Sequence, residues 1–114
     1  MAHILVVEDN ELVNLLVCEA IEIAGHTTDC VETKAAAEAL LGRDSHALVV
    51  SDVLLPDGSG YDVAAKAATL GIRTILMSGR PSAQDAVCTV AVAYLEKPFR
   101  IGELYELIEQ HLGP

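Results

Sequence analysis

Positive charge is scarce in this chain. Lys and Arg together number 7 against 17 Asp and Glu, which leaves a net charge of −10. A surface that acidic repels phosphate backbones and anionic lipid, so neither nucleic acid nor a membrane is expected as the main partner. Also absent is any apolar run long enough to span a bilayer, and the opening Met-Ala-His-Ile-Leu-Val-Val-Glu-Asp has no basic segment followed by a cleavable apolar one. No Cys-x-x-Cys occurs, and Cys18, Cys30 and Cys88 are an odd number at unrelated spacings. His3, His26, His46 and His111 are likewise far apart in sequence. Free thiols packed as small hydrophobes in a reducing cytosol are therefore expected, rather than a zinc or disulfide site. Repeats, linkers and low-complexity segments are missing too. The expectation is a soluble cytoplasmic chain with no export signal.

What is present is core material. Of 114 residues, 52% are apolar and only 21% charged, enough for one packed domain over 1–114 and too apolar for disorder. Short, continuous, β-branched runs at His3–Val7, Ala47–Val50 and Ile72–Met77 read as buried strands, with a weaker one at His26–Val31 and a fifth at Val92–Glu96. Amphipathic stretches alternate with them. Asn10–Ala24 repeats Val13, Leu16, Val17, Ala20 and Ala24 at helical spacing and is closed by Gly25. Thr33 starts a helix over Lys34–Leu41 that ends at Gly42, and Tyr61–Leu70 ends at Gly71. Ala83–Val90 is a short, poorly marked fourth helix, and Ile101–Leu112 a fifth, with Ile101, Leu104, Ile108 and Leu112 on one side. The order βαβαβαβαβα implies a parallel sheet with right-handed crossovers and helices on both faces.

In a doubly wound sheet, ligands bind beyond the carboxyl ends of the strands. Those ends carry Glu8-Asp9, Asp52, Ser78-Gly79 and Lys97-Pro98. Any one acid there can simply cap the next helix, as Asp9 or Asn10 could. Three carboxylates at one rim repel unless a cation joins them, and magnesium suits an oxygen-only cluster. A phosphoryl group entering here would meet the metal, the Lys97 charge and the Ser78 hydroxyl. One carboxylate could then attack phosphorus, in a transfer that rests mainly on positioning and charge neutralisation.

These residues carry a resemblance. Ile-Leu-Val-Val-Glu-Asp-Asn at 4–10, Ser-Asp-Val-Leu-Leu-Pro-Asp-Gly-Ser-Gly at 51–60, Met-Ser-Gly at 77–79 and Tyr-Leu-Glu-Lys-Pro-Phe at 94–99 stand in order on the right elements. Over essentially its whole length the chain resembles a bacterial two-component response-regulator receiver domain, of the single-domain, chemotaxis-regulator-like kind. The resemblance implies a (βα)5 flavodoxin-like fold with strand order 2-1-3-4-5. It makes Asp52 the phosphoacceptor, with Glu8, Asp9, Asp52 and the backbone carbonyl of Leu54 holding Mg2+, or Mn2+ in its place. Ser78 and Lys97 would bind the phosphoryl group, the Lys97–Pro98 peptide would be cis, and Pro56, Gly58 and Gly60 would shape the adjoining loop. Ser78 and Tyr94 would form a switch, Tyr94 filling space that Ser78 vacates. The plainer account of Tyr94 is an amphipathic residue near a strand end with a solvated hydroxyl.

Four features depart from the family pattern. Glu8 stands where Asp is commoner, and its extra reach could put water between it and the metal. The stretch from Ser78 to Lys97 is about a turn short. Val90 stands where a glycine usually caps the fourth helix. Arg100 replaces a small polar cap and should cost the last helix an N-terminal partner. On the first helix Leu12, Leu15 and Ile23 fall outside the assigned stripe. They are either ordinary surface leucines and isoleucine or, for Leu12 and Leu15, part of a docking surface for the phosphodonor's helical bundle.

The expected function is a phosphoacceptor, not an enzyme: a sensor histidine kinase or histidine phosphotransfer protein donates to Asp52, and an output protein reads the change. No effector domain is expected after the last helix, and a monomer or weak dimer is. One alternative is a degenerate receiver used as a constitutive docking scaffold. Another, an aspartate-nucleophile phosphohydrolase, needs a second acid two residues after the nucleophile, where Leu54 stands.

Overall fold

The central strands are mostly apolar because helices cover both of their faces. In the computed structural model, which describes residues 2–79 and 93–112, Ile4, Leu5, Val6 and Val7 are all fully buried. The elements run β1 (His3–Val7), α1 (Glu11–Ile23), β2 (Thr27–Val31), α2 (Lys34–Leu41), β3 (Leu48–Asp52), β4 (Leu54–Leu55), β5 (Gly58–Ser59), α3 (Gly60–Thr69), β6 (Arg73–Ser78), β7 (Ala93–Glu96) and α4 (Ile101–Leu112). The main sheet is parallel with order β2-β1-β3-β6-β7. That is the expected 2-1-3-4-5 once the small antiparallel hairpin β4–β5, which sequence reading missed, is set aside. The expected helix at 83–90, with Val90 and Cys88, lies outside the described residues.

Alternation along each strand divides the core in two. Ile4, Val6, Val50, Ile75 and Met77 pack with Val17 and Ile21 of α1 and Leu104 and Ile108 of α4. Leu5, Val7 and Val49 pack on the other side with Ala37 and Leu41 of α2 and Val63 and Ala67 of α3. β3 and β6 run further than expected, to Asp52 and Ser78, because the ladder pairs Ser51 with Leu76 and Asp52 with Met77. The sheet thus delivers its polar residues to the rim as strand residues. Gly25 (φ 100°) and Gly71 (φ 76°) adopt the left-handed conformation expected after α1 and α3, whereas Gly42 closes α2 in the right-handed region.

Three expectations need correction. The buried face of α1 is Asn14, Val17, Cys18, Ala20 and Ile21, while Leu16 and Ala24 are exposed. A polar residue hid that face from the periodicity: Asn14 is buried because its Nδ2 donates to the carbonyls of Glu8 (3.0 Å) and Val31 (2.9 Å). Second, Cys18 and Cys30 are not free thiols. Cys30 pairs in register with Val6, whose side chain faces α1, so it meets Cys18 in a disulfide with Cα atoms 6.7 Å apart. Third, two of the four histidines are not isolated: His3 and His46 meet over Asp29 at the amino-terminal edge of the sheet.

Candidate functional site

The ends of four strands, β1, β3, β6 and β7, bring polar groups to the opposite edge. Glu8 continues the run of β1, its N–H donating to Val31 O at 3.0 Å, and its side chain is fully buried. One carboxylate oxygen accepts the Asn10 N–H at 2.9 Å and the other bonds the Lys97 ammonium. Asn10 then caps α1, accepting the Val13 N–H at 3.0 Å. Lys97 arrives from the end of β7, where its N–H donates to Ser78 O at 2.8 Å, and its Nζ also lies 3.1 Å from Asp52 Oδ2. The Lys97–Pro98 bond is cis.

Glu8, Asp9 and Asp52 each present an oxygen within 4.8 Å of the others. Asp9 is exposed, Asp52 half-buried and Glu8 buried. Burial pushes Glu8 up from the ordinary carboxylate value, a rise that the Lys97 and Asn10 hydrogen bonds oppose and the Asp52 charge adds to. Burial alone would lower Lys97, but bonds to Glu8 and Asp52 outweigh it and hold the ammonium above its usual value. One ammonium among three carboxylates leaves two negative charges uncompensated when all are ionised, an oxygen-only donor set fitted to a hard divalent cation. Glu8 is not a distant acid reaching out for solvent: it is the innermost of the three, clamped by Lys97.

Asp52, Val53, Leu54, Ser59, Ser78 and Gly79 line one open depression beside the cluster. The Leu54 side chain faces solvent, 77% exposed, so nothing but its backbone is committed to the rim. Of the loop glycines, Gly60 is the constrained one: a Cβ there would stand 2.1 Å from the Asp52 carbonyl oxygen, whereas one at Gly58 would meet only the flexible Lys34 side chain. Tyr94 pairs in register with Leu76 and so shares a sheet face with Ser78, two residues further along β6. It lines a shallow groove against α4.

Sequence reading missed two contributions here. Asp57 caps α2 from outside that helix, its two oxygens accepting the N–H groups of Lys34 (2.8 Å) and Ala35 (2.9 Å). At the start of α4 Arg100 offers no side-chain cap, as expected; its carbonyl accepts the Glu103 N–H at 3.0 Å, and the Glu103 carboxylate reaches back to accept the Arg100 N–H at 2.9 Å. A Glu three residues into a helix is the visible half of a capping box, and it was there to be read. Leu12 and Leu15 are exposed as expected, beside an apolar groove formed by Val13, Leu16, Pro98, Phe99 and Ile101.

Residues 4–109 match the family model of the response regulator receiver domain. The transcriptional regulatory protein TcrA of Mycobacterium tuberculosis is 33% identical over 108 residues, 90% of this chain and 43% of that protein. The chain spans about half the length of such relatives. Among solved structures, a CheY-like receiver domain protein from Methanospirillum hungatei superposes with a TM-score of 0.92 at 26% identity, covering 98% of this chain and 94% of the other. The response regulator TrrA of Thermotoga maritima, in complex with Mg2+ and BeF, gives 0.88 at 26% identity over 96% and 98%. With a parallel five-stranded sheet, an acidic cluster at its carboxyl edge and a family match over nearly its full length, the chain belongs to the response regulator receiver domains of two-component signalling.

Proposed function

We propose that Asp52 accepts a phosphoryl group from the phosphohistidine of a sensor kinase or phosphotransfer protein. The observation that carries this reading is the position of Lys97 Nζ, bonded to Glu8 and 3.1 Å from Asp52 Oδ2, with Asp9 in the same cluster. An Asp52 oxygen attacks phosphorus, the P–N bond breaks, and its electron pair stays on the donor imidazole. Glu8, Asp9, Asp52 and the Leu54 carbonyl would hold Mg2+, or Mn2+, which when bound neutralises charge on the acids and the incoming phosphoryl oxygens. Lys97 turns from Asp52 to the phosphoryl group, while Glu8 keeps it at the rim. Ser78 donates its hydroxyl to the same group. Its movement makes room for Tyr94, so the surface beside β7 and α4 changes and a partner protein reads it. The domain works as a monomer or weak dimer in the cytoplasm.

The test is incubation with acetyl phosphate and Mg2+, followed by intact mass measurement of wild type and Asp52→Asn. A labile phosphoryl adduct on the wild type alone is expected. Rapid phosphate release without an adduct would turn the reading toward a hydrolase, and no reaction at all toward a docking scaffold.

A further inference from the structure

The amino-terminal edge of the sheet gathers a different set of ligating groups. His3 opens β1, Asp29 lies in β2 and His46 precedes β3, so three neighbouring strands bring together residues far apart in sequence. Parallel register makes the meeting unavoidable. His3 lies opposite Thr27, Asp29 follows two residues later on the same face, and the Ala47 N–H donates to His3 O at 2.8 Å. Nε2 of His3 lies 2.8 Å from Asp29 Oδ2, and Nε2 of His46 lies 2.9 Å from that same oxygen. The two rings stack with centroids 4.9 Å apart and 14° between their planes.

We propose that His3 Nε2, His46 Nε2 and the Asp29 carboxylate form a tridentate site for a divalent first-row transition metal of the zinc class. Two imidazoles and one carboxylate are the donors such ions prefer, and Mg2+ does not. With tetrahedral metal–ligand bonds of about 2.0–2.1 Å, neighbouring donor atoms stand about 3.3 Å apart. The Nε2–Oδ2 separations of 2.8 and 2.9 Å are shorter than that, so a metal entering between them spreads the donors by about half an ångström as it replaces the hydrogen bonds. His3 is oriented from behind, its Nδ1 being 2.7 Å from Thr27 Oγ1, the kind of outer contact that fixes a ligating ring. The His46 side chain is fully buried, and among the described residues its Nδ1 has no hydrogen-bond partner while its Nε2 meets Asp29. A metal here would tie the edge strand β2 to β1 and to the entry of β3, at the end of the molecule remote from Asp52.

The test is a Zn2+ titration of the untagged chain by calorimetry, with excess Mg2+ to occupy the acidic rim. One Zn2+ per chain is expected, with affinity falling at least about ten-fold in His3→Gln and in Asp29→Asn and unchanged in His111→Gln. His3 is half-exposed, so its variant is expected to fold, and circular dichroism checks this. A second measurement needs no variant: in the wild type, paramagnetic Co2+ should broaden the imidazole signals of His3 and His46 before those of His26 and His111. Absence of binding, equal affinity in wild type and His3→Gln, or broadening that starts at His26 or His111 would overturn the proposal.

Discussion

At the carboxyl ends of the strands three carboxylates surround an ammonium; at the amino ends two imidazoles surround a carboxylate. Both clusters are put together by the same parallel register, and they differ in what builds them. The upper rim is assembled by backbone: Asp52 ends a strand, Gly60 lies against its carbonyl, and Lys97 is hydrogen-bonded through its own N–H to Ser78. At the lower rim the register and the Ala47 N–H to His3 O bond set the strands, and the cluster itself is closed by side chains reaching across β1, β2 and the turn before β3. The upper cluster offers oxygen donors alone and the lower one two nitrogens and a carboxylate, so the two would favour different cations.

The sharpest way to break this contrast is Gly60→Ala. Its new methyl would sit 2.1 Å from a backbone oxygen that cannot swing aside, so α3 must move off Asp52. A loss of about 3 kcal/mol by urea unfolding is expected, together with slower phosphorylation by acetyl phosphate. Gly58→Ala, which displaces only the end of Lys34, should stay within about 0.5 kcal/mol of wild type. Equal effects of the two would remove the backbone argument. Next in size is reduction of the disulfide. Cys18 and Cys30 close a loop with a sequence separation of 12, worth about 3 kcal/mol in the chain-entropy picture and less if the reduced state retains structure. Because Cys30 adjoins Asp29, Cys18→Ser should loosen β2 and the lower rim while leaving Asp52 phosphorylation near normal. Hydrogen exchange along β1 and β2 separates the two rims directly.

The upper rim could be read from the chain and the lower could not, for a reason the register makes plain. Asp52 and Ser78 end apolar strands and Glu8, Asp9 and Lys97 come just after strand ends, so local patterning points to them and topology alone collects them. His3 opens β1, Asp29 lies in the middle of β2 and His46 precedes β3; no motif surrounds them, and they become neighbours only once Thr27 is aligned with His3. The same blindness hid the disulfide and the burial of Asn14, both of which depend on which face of β2 looks at α1. Helix boundaries fared better because caps are local: Asn10 and Thr33 each accept an N–H of the helix they precede.

Asp57 gives the smallest effect and the finest discrimination. It lies in the hairpin loop beside the acceptor and could pass for a fourth acid of the metal cluster. Both of its oxygens, however, are committed to the first N–H groups of α2. Those backbone bonds, Ala35 first and Lys34 next, hold its carboxyl below the ordinary value of 3.8. A carboxyl depressed in the folded state stabilises it at pH values above 3.8, and that contribution is lost as pH falls through the lower folded value. Asp57→Ala should therefore lower the urea midpoint slightly at neutral pH, with the difference closing in acid. Mg2+ affinity should not change, because the variant removes a helix cap and not a ligand. A deficit that persists undiminished below the folded titration, or a weakened Mg2+ site, would move Asp57 from the scaffold of α2 into the acidic cluster.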